Sequence, residues 1–357
     1  MARLDPVDLL NPRRGHGRWS DIPLPDLNTI ELGAVRAGHV CITAGGPQTP
    51  MGVRIVDLTP SAAVTPVTEI RLGLDARPAS AYLPQPELAT FPGDDGQDVH
   101  AIIYSPTNPE HVAPAGARPP FLALVHGGPT ARFQPVLNLD VAYLTSRGIG
   151  VVAVNYGGSS GYGRDYRRRL NGQWGIVDVA DTVAVMRGLV DAGRADPGRL
   201  AIQGGSSGGW TVLSALTRTD TFACGISYYG VTDLLALAAD THDFESRYLD
   251  GLVGPLPAAR ALYEQRAPAN HLDGLSCPVL LLQGLEDPVV PPSQAERFRD
   301  AMLAKGIAHA YRPYAGESHG FRRRETIVDA TEAALSFLGQ VMGFTPPGVP
   351  VLDLWRP

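Results

Sequence analysis

A serine hydroxyl becomes a useful nucleophile only when a base takes its proton and a carboxylate orients that base. Three stretches of this chain hold residues of those types in a workable order. The first is Gly204-Gly205-Ser206-Ser207-Gly208-Gly209, placed after the apolar run Leu200–Gln203 and before a helical pattern that begins at Trp210. Gly-x-Ser-x-Gly at a strand-to-helix turn presents a serine Oγ at the carboxyl end of a sheet, above a helix N-terminus. Ser206 fits best, because Gly204 directly follows the last strand residue. Ser207 also satisfies the pattern, through Gly205 and Gly209. A second match surrounds Ser159 at Gly157–Gly161. There Gly161 to Arg169 interrupt any immediate buried helix, so the segment reads as a loop beside the site.

The second and third stretches supply the carboxylate and the base. Asp287 follows the apolar run Pro278–Gln283, with Glu286 as a neighbouring substitute, and His319 follows the run His309–Tyr314. Serine, aspartate, histidine is the chain order expected when a parallel sheet carries such a site. A fourth piece, His126-Gly127-Gly128-Pro129, closes the run Phe121–Val125. Its glycine turn, at Gly127 and Gly128, can point backbone N–H groups inward, and the N–H of Ser207 adds another. Together they would form an oxyanion hole for a tetrahedral intermediate.

These pieces need a scaffold. Phe121–His126, Ile149–Val154, Leu200–Gln203, Cys224–Tyr229 and Pro278–Gln283 are apolar almost throughout, as strands of a parallel sheet covered on both faces should be. Val177–Val190, Trp210–Arg218, Ser293–Lys305 and Thr326–Val341 carry apolar residues at helical spacing. Alternating strands and helices imply a doubly wound α/β sheet with right-handed crossovers. Val99–Tyr104 is expected as its edge strand. Before Pro84–Gly96, which looks like a junction, only short strands are expected, at Val40–Thr43, Val53–Asp57 and Thr68–Leu72. The expected organisation is a β-rich segment over 1–91, a catalytic domain over 92–345 and a tail over 346–357.

The chain of 357 residues has a net charge of −6, which disfavours a nucleic-acid or anionic-membrane partner. No run of about 18 apolar residues suggests a membrane span. The first residues lack the apolar core of a signal peptide. Three scattered cysteines, Cys41, Cys224 and Cys277, fit a reducing compartment better than a disulfide framework. A cytoplasmic location is therefore expected. No metal or organic cofactor is required, because side chains and backbone can supply all the chemistry.

The motifs extend beyond these pieces. HGGPT at 126–130, NYGGSSGYG at 155–163, GQWGIVDV at 172–179, GGSSGGW at 204–210, THDFESRY at 241–248, LQGLEDPVVP at 282–291 and ESHGF at 317–321 together resemble the prolyl oligopeptidase family of serine peptidases. The likeness covers about residues 90–343 and is nearest the acylaminoacyl-peptidase-like branch, since His126 stands where other branches carry tyrosine. The resemblance implies an α/β-hydrolase fold with Ser206, Asp287 and His319 as the triad, and Gly127 with Ser207 as oxyanion donors. It implies hydrolysis of short peptides through an acyl-enzyme. Tyr156, Phe244, Glu245 and Tyr248 would then line the substrate pocket. The same triad would also serve a carboxylesterase, and a non-hydrolytic binding fragment is the third reading. Members of the family carry a β-propeller over the site, and seven blades need roughly 300 residues. Only the last strands of such a propeller are expected here, over about 20–80, in a truncated form or in a branch that works without the cover. Exposed strand edges there would favour a homo-oligomer.

Overall fold

The structure is a computed structural model that describes residues 2–4, 19–24, 26–58, 66–240 and 247–357. It divides into two compact units, Met1–Pro86 with Gln134–Ala142, and Glu87–Phe133 with Tyr143–Pro357.

In the first unit, β1 (Ala2–Leu4) pairs with β2 (Trp19–Asp21). Four further strands form an antiparallel sheet in chain order: β3 (Thr29–Arg36), β4 (His39–Gly46), β5 (Thr49–Asp57) and β6 (Val67–Leu72). Burial alternates along β5, as period-two strand geometry requires. Val40, Ile42, Ala44 and Val56 make a small core. Arg54 is buried in the same sheet, where its guanidinium donates to the carbonyls of Ala44, Gly52 and Pro50. β3 was not expected, because six of its eight residues are exposed and its apolar positions do not alternate with a buried face.

The second unit is the α/β-hydrolase fold that the motifs imply. Its sheet has eight strands: β7 (Glu87–Pro92), β8 (Asp98–Tyr104), β9 (Phe121–Val125), β10 (Gly150–Asn155), β11 (Leu200–Gly205), β12 (Cys224–Tyr228), β13 (Val279–Gly284) and β14 (His309–Tyr314). Their order is β14-β13-β12-β11-β9-β10-β8-β7. The run from β14 to β10 is parallel, while β8 and β7 join antiparallel. β10 and β13 are buried at every residue, which matches their unbroken apolar sequences. The expected edge strand, Val99–Tyr104, lies one position inside, because Glu87–Pro92 pairs along its outer side.

Four long helices cover the sheet: α1 (Val177–Asp191), α2 (Ser207–Arg218), α3 (Pro292–Ala304) and α4 (Arg324–Met342). Every residue of α2 except Arg218 is buried, so this helix is a core element. Trp174 and Trp210 are packing residues there, with ring centroids 5.3 Å apart. No helix among the described residues is long and apolar enough to cross a membrane.

Candidate active site

The parallel strands all end on one side of the sheet, and the four sequence motifs emerge there. β11 leads into Ser206, whose φ of 56° and ψ of −121° lie outside the ordinary regions for a non-glycine residue. Close backbone approach makes this turn possible. A Cβ on Gly204 would sit 2.6 Å from the carbonyl oxygen of Gly208, and one on Gly208 would sit 2.4 Å from that of Val125. The Ser206 N–H donates to Tyr228 O at 2.9 Å and fixes the turn to β12.

Nε2 of His319 lies 2.9 Å from Ser206 Oγ, and its Nδ1 lies 2.8 Å from Asp287 Oδ2. A carboxylate can only accept, so Nδ1 carries the proton and donates. In the neutral ring Nε2 is then a lone pair facing the serine hydroxyl. Asp287 is buried, and each of its oxygens is occupied. Oδ1 accepts the N–H groups of Val289 and Val290 at 2.8 and 2.9 Å, while Oδ2 also accepts Gln283 Nε2 at 3.3 Å. These contacts fix the plane of the carboxylate, which in turn fixes the imidazole.

Glu286, the neighbouring acid, points elsewhere. It is exposed and accepts the N–H of Gly316 at 3.0 Å, while its own N–H donates to Glu317 O at 2.9 Å. It therefore ties together the two loops that carry Asp287 and His319. Buried Glu317 shapes the histidine turn by accepting the N–H groups of Arg322 and Arg323, each at 2.9 Å. A Cβ on Gly284 would lie 2.4 Å from Ser318 O, so only glycine lets these loops touch.

The other serines of the two motifs are not bonded to His319. Ser207 is buried as the first residue of α2, and its hydroxyl has no partner among the described residues. Its N–H is among the first of the helix, which lack intrahelical acceptors. Gly127 lies against the nucleophile turn: a Cβ there would meet Gly205 O at 3.0 Å and Ser206 Cβ at 3.5 Å. Gly128 takes the left-handed turn, with φ 55°, and a Cβ on it would have only Ala131 within 4 Å. Gly127 and Ser207 thus both lie beside Ser206.

Of the expected pocket residues, Phe244 and Glu245 lie outside the described residues. Tyr248 is partly exposed, and its hydroxyl lies 3.1 Å from Thr130 Oγ1, just past the glycine turn. Tyr156 has no exposed surface. Its ring stacks on His126 at 4.4 Å and its hydroxyl donates to Pro129 O at 2.9 Å, so it braces the glycine turn from behind. Ser159 is also fully buried, with its Oγ 2.7 Å from His126 Nε2. The Tyr229 ring, which no sequence feature marks, packs edge-on to His319.

A sequence profile described as the prolyl oligopeptidase family matches residues 135–345. The dipeptidyl aminopeptidase BIII of Pseudoxanthomonas mexicana is 32% identical over 235 residues, which are 64% of this chain and 34% of that protein. Among solved structures, a puromycin-hydrolyzing peptidase of Mycobacterium tuberculosis superimposes with a TM-score of 0.93 at 49% identity. That match covers 99% of this chain and 52% of the other. The acylaminoacyl peptidase of Pyrococcus horikoshii shares the fold, with a TM-score of 0.77 at 21% identity over 93% of this chain and 52% of that one. The chain thus spans about a third of the length of the curated relatives it matches and about half that of the solved structures.

Proposed function

Since the chain belongs to the prolyl oligopeptidase family, we propose that it is a serine peptidase that hydrolyses short peptides, of acylaminoacyl- or dipeptidyl-peptidase type, through an acyl-enzyme. The observation that carries this reading is the unbroken line from Ser206 Oγ through His319 to Asp287, at 2.9 and 2.8 Å. Ser206 Oγ attacks the scissile carbonyl carbon while its proton passes to His319 Nε2. The carbonyl electrons move onto oxygen, where the N–H groups of Gly127 and Ser207 receive the charge. As the intermediate collapses, the imidazolium returns the proton to the departing amine, which leaves the acyl group on Ser206. Water then repeats the sequence and frees the acid. Asp287 keeps the imidazole in the tautomer that both halves need.

The chemistry is assigned to residues 92–345, which fall in the larger unit apart from Gln134–Ala142, and contact with the acyl side of the substrate to Tyr248. Exposed Leu32, Val35 and Ile70 on the β3 and β6 strands support self-association through the N-terminal sheet. Three free cysteines support a cytoplasmic location.

Turnover of an alanyl p-nitroanilide, an acetylated-peptide p-nitroanilide and a p-nitrophenyl ester tests the activity. Puromycin joins the panel because a relative is described as hydrolysing it. Amide cleavage lost in Ser206→Ala supports the peptidase. Cleavage of the ester alone would instead make the protein an esterase.

A further inference from the structure

We infer that Tyr229 is a positioning residue for His319, and that its ring is held in that place by close packing against Gly205. The inference rests on the peptidase reading and adds a residue to its machinery.

Tyr229 follows β12 with φ 38°, a left-handed conformation that a bulky residue adopts at a cost and keeps only where its surroundings impose it. Ser206 is among the few other described non-glycine residues with positive φ. The Tyr229 N–H donates to Leu282 O at 2.7 Å, which pins the strained backbone to β13. Its ring then packs on the base. The centroids of Tyr229 and His319 are 4.8 Å apart at 61°, and Phe321 also packs on the Tyr229 ring at 5.5 Å and 86°. Edge-to-face packing of this kind is directional and restricts ring rotation.

The ring also reaches the nucleophile strand. A Cβ on Gly205 would lie 3.0 Å from Tyr229 Cε2 and 3.3 Å from its Cζ and hydroxyl oxygen. Gly205 occupies a position where Gly-x-Ser-x-Gly accepts other residues, and here the ring packs closely against it. Tyr229 therefore spans the gap between the residue before Ser206 and the imidazole that deprotonates it. It restrains the distance between two groups that arrive on separate loops, and a shift of about 1 Å in such a pair can cost a hundredfold in rate.

The test uses the full chain with the alanyl p-nitroanilide. Wild-type turnover, absent in Ser206→Ala, is measured first; if wild type neither turns over nor reacts with a fluorophosphonate, the peptidase reading falls and this inference with it. Against that reference, Tyr229→Phe keeps the ring and is expected within about twofold of wild type. Tyr229→Ala is expected to lower kcat about tenfold or more while KM changes little. Gly205→Ala displaces the ring from the other side. It should lower kcat on its own and cost nothing further when combined with Tyr229→Ala. Folding of each variant is followed by circular dichroism. A folded Tyr229→Ala with wild-type kcat would overturn the inference, as would equal losses in the Phe and Ala variants or full additivity with Gly205→Ala. If Tyr229→Ala fails to fold, wild-type kcat in Gly205→Ala overturns it and a lowered kcat there supports it.

Discussion

The hydroxyl of Ser159 lies 2.7 Å from Nε2 of His126, buried behind the glycine turn that faces the nucleophile. Burial pushes the His126 pKa down to about 4, so the ring is neutral. Its Nδ1 lies 3.1 Å from Gly127 O and donates to it, which leaves Nε2 to accept the serine proton. The serine of the second Gly-x-Ser-x-Gly motif is thus a support for the turn that carries Gly127.

Ser159→Ala should leave a buried imidazole acceptor unpaired, at a cost of about 1–3 kcal/mol. Urea unfolding would read that loss. Fluorophosphonate reactivity should persist, slowed by a looser turn.

The depressed pKa of His126 also sets a pH dependence. In the unfolded chain the ring protonates near 6.5 and in the folded chain near 4. The unfolded state therefore binds more protons between those values, and stability from this group falls as pH drops from 6.5 to about 4. Relative to His126→Gln, wild type should lose on the order of 3 kcal/mol across that window. Unfolding free energies at a series of pH values check it, and a constant difference between the two proteins would contradict it.

Asp178 works in the opposite sense. It is fully buried beneath α2, and burial raises its pKa from 3.8 to about 6 despite hydrogen bonds from Thr211 and Gly175, both at 2.6 Å. The folded state holds this proton more tightly, so stability from this group falls as pH rises from 3.8 to about 6. Asp178→Asn should remove that slope. Because His126 and Asp178 oppose each other over the same range, the wild-type profile conceals both, and only the single variants separate them.

Asp287→Asn keeps the size of the side chain but favours the wrong imidazole tautomer, and kcat is expected to fall by about 10⁴. Glu286→Gln should stay near wild type, because that side chain ties loops together and does not touch the base. Parallel kinetics on one anilide distinguish the two acids.

Much of this site was legible before the fold. β9 to β13 are nearly unbroken apolar runs bounded by glycine and proline, so their position and the loops after them could be read directly. Chain order put both Glu286 and Asp287 in the carboxylate's place, and the fold separates them: Asp287 is buried and bonded to His319, while Glu286 is exposed. β7 escaped notice because four of its six residues are exposed and it ends in proline, and β3 because it buries only Thr29 fully. Tyr229 was invisible for another reason: a positive φ at tyrosine is imposed by packing between β12, β13 and His319, and no local pattern encodes it. Ser159 matched a catalytic motif and turned out to be buried, since the motif specifies a turn and does not specify access.

The most direct measurement is the site of fluorophosphonate attachment, mapped by mass spectrometry in wild type, Ser206→Ala, Ser207→Ala and His319→Ala. A single adduct on Ser206 is expected, kept in Ser207→Ala, lost in Ser206→Ala and slowed at least about a thousandfold in His319→Ala. An adduct on another serine, or no adduct in a folded wild-type protein, would contradict the assignment of Ser206 as the nucleophile.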